Sequence, residues 1–329
     1  MPTLLVSSAF IRRYESAVRE AWPGIEPIVL PADANERLDP ASLERVAYAY
    51  FSGDVFPDFS RSFFAAAQGA PNLKWLHVFN AGVDAPIFQR MLERGVRLST
   101  SAGSTAQPIA QSAIGGMLML ARPFLPWLEA QRRHAWEPLR GTPPPDLVGQ
   151  RMTVVGLGSI GSEIARIAAA IGLEVTGVRR SPRRDADPVQ VIVSPSDLPR
   201  IAAETDWLVI ACPLTDETRG LVSEDLLAQL KPGAHVINIG RGEVIDEPAF
   251  IDAVRSGRVA GAYLDVVSQE PLPPDSPLWD LPNVIISPHN SAVAAGNDAR
   301  ANGYFLENLR RMAKGDALVN EVKSYLQEQ

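Results

Sequence analysis

Cysteine is nearly missing from this chain. Cys212 stands alone in 329 residues, which excludes an intrachain disulfide and gives no support to a secreted framework. Long apolar runs are missing as well: none reaches the ~18 consecutive residues a membrane span needs. The N-terminal "MPTLLVSSAFIRR" has a short apolar run with its arginines behind it, the reverse of a secretory signal. Positive charge is in deficit, with 31 Lys and Arg against 38 Asp and Glu and a formal net charge of -7. No basic tail offsets that balance, so nucleic acid is not the expected partner, nor is a membrane. No repeat of fixed period is present. These absences point to a cytoplasmic globular protein.

What is present is an ordinary soluble composition, 46% apolar and 21% charged, in a chain long enough for two domains. Short apolar runs alternate with amphipathic stretches, the pattern of an α/β protein with parallel strands. In the first hundred residues "TLLVSS" (Thr3 to Ser8), "VAYAYFS" (Val46 to Ser52) and "LKWLHVF" (Leu73 to Phe79) are strand candidates. A long helix is expected over "AQPIAQSAIGGMLMLAR" (Ala106 to Arg122), then a rigid proline-rich connection, "GTPPPDLVG" (Gly141 to Gly149). A second series follows: Met152 to Gly156, Glu174 to Val178, Trp207 to Cys212, His235 to Gly240, Gly261 to Val267 and Val284 to Ser287. A polar helical segment, Asn297 to Gly315, closes the chain and is expected to return to the first domain.

"VVGLGSIGSEIARIAAAIG" carries G-x-G-x-x-G at Gly156, Gly158 and Gly161. An apolar strand precedes the motif. Ile160, Ile164, Ile167 and Ile171 run behind it at helical spacing, and Gly172 is placed to stop the helix. A glycine-rich turn without a ligand is the plain alternative, but this context is that of a dinucleotide fingerprint: one glycine for the turn, one for the pyrophosphate, one for helix packing. The helix N-terminus then offers free N–H groups to the phosphates.

An acid is expected ~20 residues on, capping the second strand and bonding the ribose 2′-OH of NAD. Here that strand ends "VTGVRRSP", with Arg179, Arg180 and Ser181. A guanidinium binds phosphate oxygens through a two-toothed fork, so these residues predict NADPH, with NAD as a possible substitute. A solvated basic loop is the competing explanation.

Three later strands end in chemically useful groups at the edge where ligands of such sheets collect. "HVINIGRGEVID" places Arg241, "GAYLDVVSQEP" places Asp265 and Glu270, and "VIISPHNSA" places His289. Reduction of a 2-keto acid needs a proton donor at the carbonyl oxygen, which histidine supplies near neutral pH. A carboxylate on the other ring nitrogen fixes the tautomer and favours the imidazolium. The substrate carboxylate needs a cation, best an arginine fork. Of the other histidines, His235 opens a buried-looking strand, His77 lies inside one, and His134 sits in a basic helical stretch. Only His289 falls at the mouth.

Taken together, "GLGSIG", "ACPLTDETRGL", "LKPGAHVINIGRGEVIDEPA", "AYLDVVSQEPLP" and "NVIISPHNSA" resemble the D-isomer-specific 2-hydroxy acid dehydrogenase family, over nearly the whole chain. The resemblance implies two doubly wound parallel-sheet domains of the α/β class. A flavodoxin-like substrate domain (1–101 and 293–329) would hold a Rossmann cofactor domain (102–292) inserted into it. It implies His289 as acid/base, Glu270 as its partner and Arg241 as substrate clamp. It puts Gly156, Gly158, Ser159, Ile160, Gly161, Cys212, Pro213, Thr218 and Asp265 in the cofactor site, Cys212 through its backbone and Asp265 near the nicotinamide carboxamide. "NAGVD" (Asn80 to Asp84) resembles the loop whose backbone N–H groups, at Ala81 and Gly82, hold the substrate carboxylate. A homodimer is implied, and no metal.

Three positions depart from the family pattern: Arg179 for the strand-end acid, Gln111 where many members have glutamate, and "SAVAAGN" without the usual threonine after His289. The first resembles the NADPH-preferring glyoxylate and hydroxypyruvate reductase branch, so an NADPH-dependent reductase of a small 2-keto acid is expected. The substrate side-chain pocket is expected around Phe51, Ser52 and Trp136. Two other activities stay open. One is a formate dehydrogenase-like enzyme, against which Glu270 counts because that branch pairs its histidine with glutamine. The other is a non-catalytic dinucleotide-sensing corepressor or scaffold of the same fold.

Overall fold

The computed structural model describes residues 1–83, 85–185 and 187–322. The chain divides into two compact units, Met1–Ser104 with Ala294–Gln329, and Thr105–Val293. The proline-rich stretch at 141–149 therefore lies inside the larger unit. No helix of the described residues is long and apolar enough to cross a membrane.

The smaller unit is built on β1 (Thr3–Val6), β2 (Glu26–Val29), β3 (Tyr48–Phe51), β4 (Trp75–Val78) and β5 (Arg97–Thr100), in the order β2-β1-β3-β4-β5. That is the flavodoxin-like arrangement, parallel throughout. Helices cover parallel sheets on both faces, so the central strands are apolar on both. β1 and β4 are buried along their whole length. The helix Asn297–Lys314 returns to this sheet, where Phe305, Leu306 and Leu309 pack with Leu4, Val6 and Trp75. Burying one such side chain contributes roughly 1.5–3 kcal/mol. Tyr50 Oη donates to Asn302 Oδ1 at 2.7 Å, tying the returning helix to β3. His77 in β4 is wholly buried, its ring nitrogens 2.7 Å from Ser99 Oγ and 3.0 Å from Ser101 Oγ. Desolvation pushes its pKa down to about 3, so it is a neutral core residue.

The larger unit contains β6 (Arg151–Val155), β7 (Glu174–Val178), β8 (Val191–Val193), β9 (Trp207–Ile210), β10 (Ala234–Asn238), β11 (Val259–Leu264) and β12 (Val284–Ile286). Their order is β12-β11-β10-β9-β6-β7-β8. Renumbered from β6, this is the doubly wound Rossmann order 3-2-1-4-5-6 with one further strand. The order reverses between β6 and β9, whose carboxyl ends lie side by side. The helix Ala106–Ala121 covers one face of the sheet, and Ala110, Ala113, Ile114 and Met117 join a core with Val154, Val209 and Ile237.

Three strands fall outside the sequence expectation: β2, β5 and β8, each at a sheet edge. An edge strand is covered less completely and tolerates residues an inner strand cannot. β2 contains Pro27, and β5 reads Arg-Leu-Ser-Thr. Neither gives a continuous apolar run.

Candidate active site

The larger unit collects its polar residues along the carboxyl edge of the sheet, strand by strand. β6 leads into the glycine turn. Gly156 has φ +96°, and a Cβ there would lie 2.7 Å from the Cys212 backbone, so no other residue fits. At Gly161 a Cβ would meet the Gly156 carbonyl oxygen at 2.0 Å, which is what lets the helix Ser159–Ala170 sit close against the strand. At Gly158 a Cβ would meet nothing within 4 Å. Gly158 is the N-cap of that helix, where no side chain caps the first N–H groups. One glycine turns, one packs, and one leaves room. That division fits a dinucleotide pyrophosphate, with Ser159 and Ile160 supplying the first helical N–H groups.

Beside this turn lies a cleft of about 450 Å³, lined by Gly156, Val178, Arg180, Cys212, Pro213 and Thr218 among others. Cys212 is buried, and burial pushes its thiol pKa up, so the thiol is a poor nucleophile. Thr218 Oγ1 donates to the Pro213 carbonyl at 2.7 Å and accepts from Thr215 N at 2.7 Å, fixing the loop after β9.

Arg179 also lines the cleft, but its guanidinium is engaged. Nη1 and Nη2 reach the two carboxylate oxygens of Asp187 at 2.7 and 2.5 Å, and Nε and Nη2 donate to the carbonyls of Ser181 and Pro182. The pair is largely enclosed, with 9% and 8% of the two side chains exposed. Arg180 is 78% exposed, and its ion-pair partner is Glu217 at 3.9 Å.

At the other end, β10, β11 and β12 lie side by side and carry Arg241, Asp265 with Glu270, and His289 just past their ends. His289 Nδ1 is 2.8 Å from Glu270 Oε2. Both side chains stay open to solvent, 50% and 39% exposed. With Nδ1 turned to the carboxylate, Nε2 is the nitrogen left for a substrate. Glu270 is held in turn by the Val267 N–H at 3.3 Å. Arg241 is exposed, and Nη1 donates to its neighbour's carbonyl, Gly240 O, at 2.8 Å.

His289 has φ +54°, a left-handed backbone uncommon for a residue with a side chain. Asp265 holds it there. The Asp265 carbonyl accepts the His289 N–H at 2.9 Å. Its carboxylate, on a residue 4% exposed, accepts from Ser287 Oγ at 2.5 Å, Asn290 N at 3.1 Å, Ser291 N at 3.0 Å, and Ser291 Oγ. Asn238, fully buried at the end of β10, plays a matching part before Arg241: its amide donates to Arg241 O at 3.0 Å and accepts from Gly240 N at 3.1 Å. Sequence reasoning passed over Asn238, Ser287 and Ser291. The one signal was a polar amide inside the otherwise apolar run "HVINIG".

In the smaller unit, Ala81 and Gly82 are exposed just beyond β4, and neither backbone N–H bonds another described residue. Asn80 Nδ2 donates to Gly82 O and shapes the loop, while Asp84 lies outside the described residues. Phe51, expected at the substrate pocket, is core instead: it is buried against Phe63, Phe64 and Phe79. Ser52 is buried beside it, and Trp136 is 97% exposed. His235 stacks on Trp207, with burial lowering its pKa to about 4, and His134 is an exposed residue with φ +55°. Among the described residues no cluster of three metal-ligating side chains is present.

A Rossmann sheet with this glycine turn and with arginine, glutamate and histidine along its carboxyl edge is that of a dinucleotide-dependent oxidoreductase. Comparison with known proteins narrows the class. Residues 114–291 match the family model described as D-isomer specific 2-hydroxyacid dehydrogenase, NAD binding domain. The chain is 31% identical over 263 residues to a glyoxylate reductase of Thermofilum pendens, covering 77% of each. Among solved structures, a D-isomer specific 2-hydroxyacid dehydrogenase from Xanthobacter autotrophicus Py2, in complex with NADPH and MES, superposes with TM-score 0.74 at 33% identity, covering 98% of both chains. An NADPH-dependent glyoxylate/hydroxypyruvate reductase from Sinorhizobium meliloti, in complex with NADP and sulfate, does so with TM-score 0.71 at 28% identity, again over 98% of both. The chain belongs to the D-isomer specific 2-hydroxyacid dehydrogenase family, and it is an oxidoreductase using a nicotinamide dinucleotide.

Proposed function

We propose that the chain reduces a small 2-keto acid, glyoxylate or hydroxypyruvate, to the D-2-hydroxy acid with NADPH. The observation that carries this is the 2.8 Å His289–Glu270 pair at the carboxyl edge, with Arg241 on the neighbouring strand end. The glycine turn and the cleft beside it would hold NADPH, which would supply the hydride for the carbonyl carbon. His289 donates the proton from Nε2 to the carbonyl oxygen, while Glu270 at Nδ1 holds the ring and stabilises its charged form. Arg241 clamps the substrate carboxylate with its fork. Asp265 acts through the loop it holds. We assign Arg180, which lines the cleft, and Ser181 next to it in the chain to the 2′-phosphate, in keeping with the NADPH and NADP in the two solved relatives.

Glu270 favours a keto-acid reductase over a formate dehydrogenase-like enzyme, since a carboxylate stabilises a proton-donating imidazolium and a neutral amide does not. We further propose a homodimer. The exposed apolar side chains of Phe124, Trp127, Leu128, Trp136 and Leu139 support it, because so many together on one stretch mark an interaction surface. Sedimentation at micromolar concentration checks this, and a monomer there refutes it. The functional test is a turnover assay over 2-keto acids of increasing size with NADPH and NADH. Turnover of glyoxylate or hydroxypyruvate, fading with larger acids, is expected. Dinucleotide binding with no turnover of any of them would instead favour the sensor role.

A further inference from the structure

The residue expected to read the adenosine ribose, Arg179, does not hold its guanidinium free for a ligand. Of its five N–H donors, one points at Ser181 O, one at Pro182 O and two at the carboxylate of Asp187. Asp187 also accepts the Arg184 backbone N–H at 2.5 Å, so the segment after β7 closes on itself in a ring. The hydrogen bonds from Arg179 and then from Arg184 hold the Asp187 carboxyl below its usual range, and it is charged wherever the enzyme works.

We infer that Asp187 sets how strongly this chain prefers a 2′-phosphorylated dinucleotide, by occupying the Arg179 fork that a 2′-phosphate would otherwise take. The inference rests on the proposal that the cleft beside Gly156 takes the adenosine end of the dinucleotide. A carboxylate and a phosphate both match the two-toothed geometry of a guanidinium, so they compete for the same donors. A phosphate that wins must open an enclosed ion pair and leave a second negative charge at close range, where the like charges repel. A phosphate that does not displace Asp187 meets Arg180, whose exposed side chain has only the distant Glu217 as ion-pair partner among the described residues. Either way, Asp187 reduces the discrimination that two adjacent arginines would give alone. The preference for NADPH is therefore smaller than "VRRS" suggests, and it is adjustable by one side chain.

The test is equilibrium binding of NADP+ and NAD+ to the full chain, wild type against Asp187→Asn and Asp187→Ala. The asparagine variant keeps an oxygen for the Arg184 N–H and removes the charge; the alanine variant releases the two N–H groups bound to the carboxylate and leaves those on the Ser181 and Pro182 carbonyls. A hydrogen bond to a charged group, released to the phosphate, tightens NADP+ by roughly tenfold. NAD+ binding is expected to stay put, which reports that the loop is still folded. A ratio of the two dissociation constants that is unchanged or lower in both variants overturns the inference. Equal weakening of both dinucleotides does so too, because Asp187 is then only a brace. The readout is binding, so it stands whether or not glyoxylate is turned over. Normal turnover with a flat ratio removes this inference alone.

Discussion

Asp265→Ala separates holding the catalytic loop from touching the cofactor. In the wild type the buried carboxylate takes four hydrogen bonds from residues 287–291. Truncation leaves the Asn290 and Ser291 N–H groups and two hydroxyls without this acceptor. Of these only Ser291 is buried, and an orphaned buried donor costs about 1–3 kcal/mol, comparable to the cost of holding the left-handed backbone at His289. The loop should relax and carry the imidazole off its line of approach. A displacement of about 1 Å at a reacting group is enough for a hundredfold loss in rate, so kcat is expected to fall about 100-fold. Dinucleotide affinity should change little, because the glycine turn and the cleft beside it are built from other strands. The assay is steady-state reduction of glyoxylate beside equilibrium binding of NADP+. Asp265→Asn, which keeps one acceptor oxygen, should recover part of the rate. If Asp265→Ala instead keeps its kcat and binds the dinucleotide much more weakly, the carboxylate works on the cofactor directly and the anchoring account fails.

Other perturbations test separate parts of the site. Arg241→Lys keeps the charge but loses the planar fork, and kcat/KM for glyoxylate should drop about ten- to a hundredfold; a value near wild type would place the clamp elsewhere. Glu270→Gln keeps the shape but replaces the charge-assisted hydrogen bond to His289 Nδ1 with a neutral one, so kcat for glyoxylate should fall about tenfold, and an unchanged kcat would take Glu270 out of the mechanism. His77 and His235 are neutral in the folded chain, with pKa lowered from 6.5 to about 3 and about 4. The unfolded chain therefore takes up protons first as pH falls, and stability present above 6.5 is lost progressively down to those values. Between about pH 7 and about pH 5 His77 alone should account for about 2 kcal/mol, read from urea midpoints, and His77→Gln should lose less stability over that range than wild type.

Much of this was legible in the chain because parallel inner strands must be apolar on both faces, so "MTVV" and "WLVI" announce themselves. The glycine spacing did the same for the turn, since each glycine answers a separate steric demand. His289 could be singled out among four histidines by its place just past a strand. The edge strands β2, β5 and β8 were harder to read: β2 carries Pro27, β5 reads Arg-Leu-Ser-Thr, and β8 is only three residues long. Phe51 misled, because an aromatic at a strand end serves a core as well as a pocket, and the cluster with Phe63, Phe64 and Phe79 cannot be inferred from spacing. The ring between Arg179 and Asp187 was hidden for a similar reason. Two opposite charges eight residues apart in a loop carry no periodicity, and only the folded backbone brings them within 2.7 Å.

The central claim is that His289 supplies the proton in NADPH-dependent reduction of a small 2-keto acid. The direct measurement is NADPH oxidation on glyoxylate by wild type and His289→Ala, with dinucleotide binding measured on both. Wild type should turn over, and the alanine variant should lose about 100- to 10,000-fold in kcat while binding the dinucleotide normally. Equal rates in the two proteins would contradict the account.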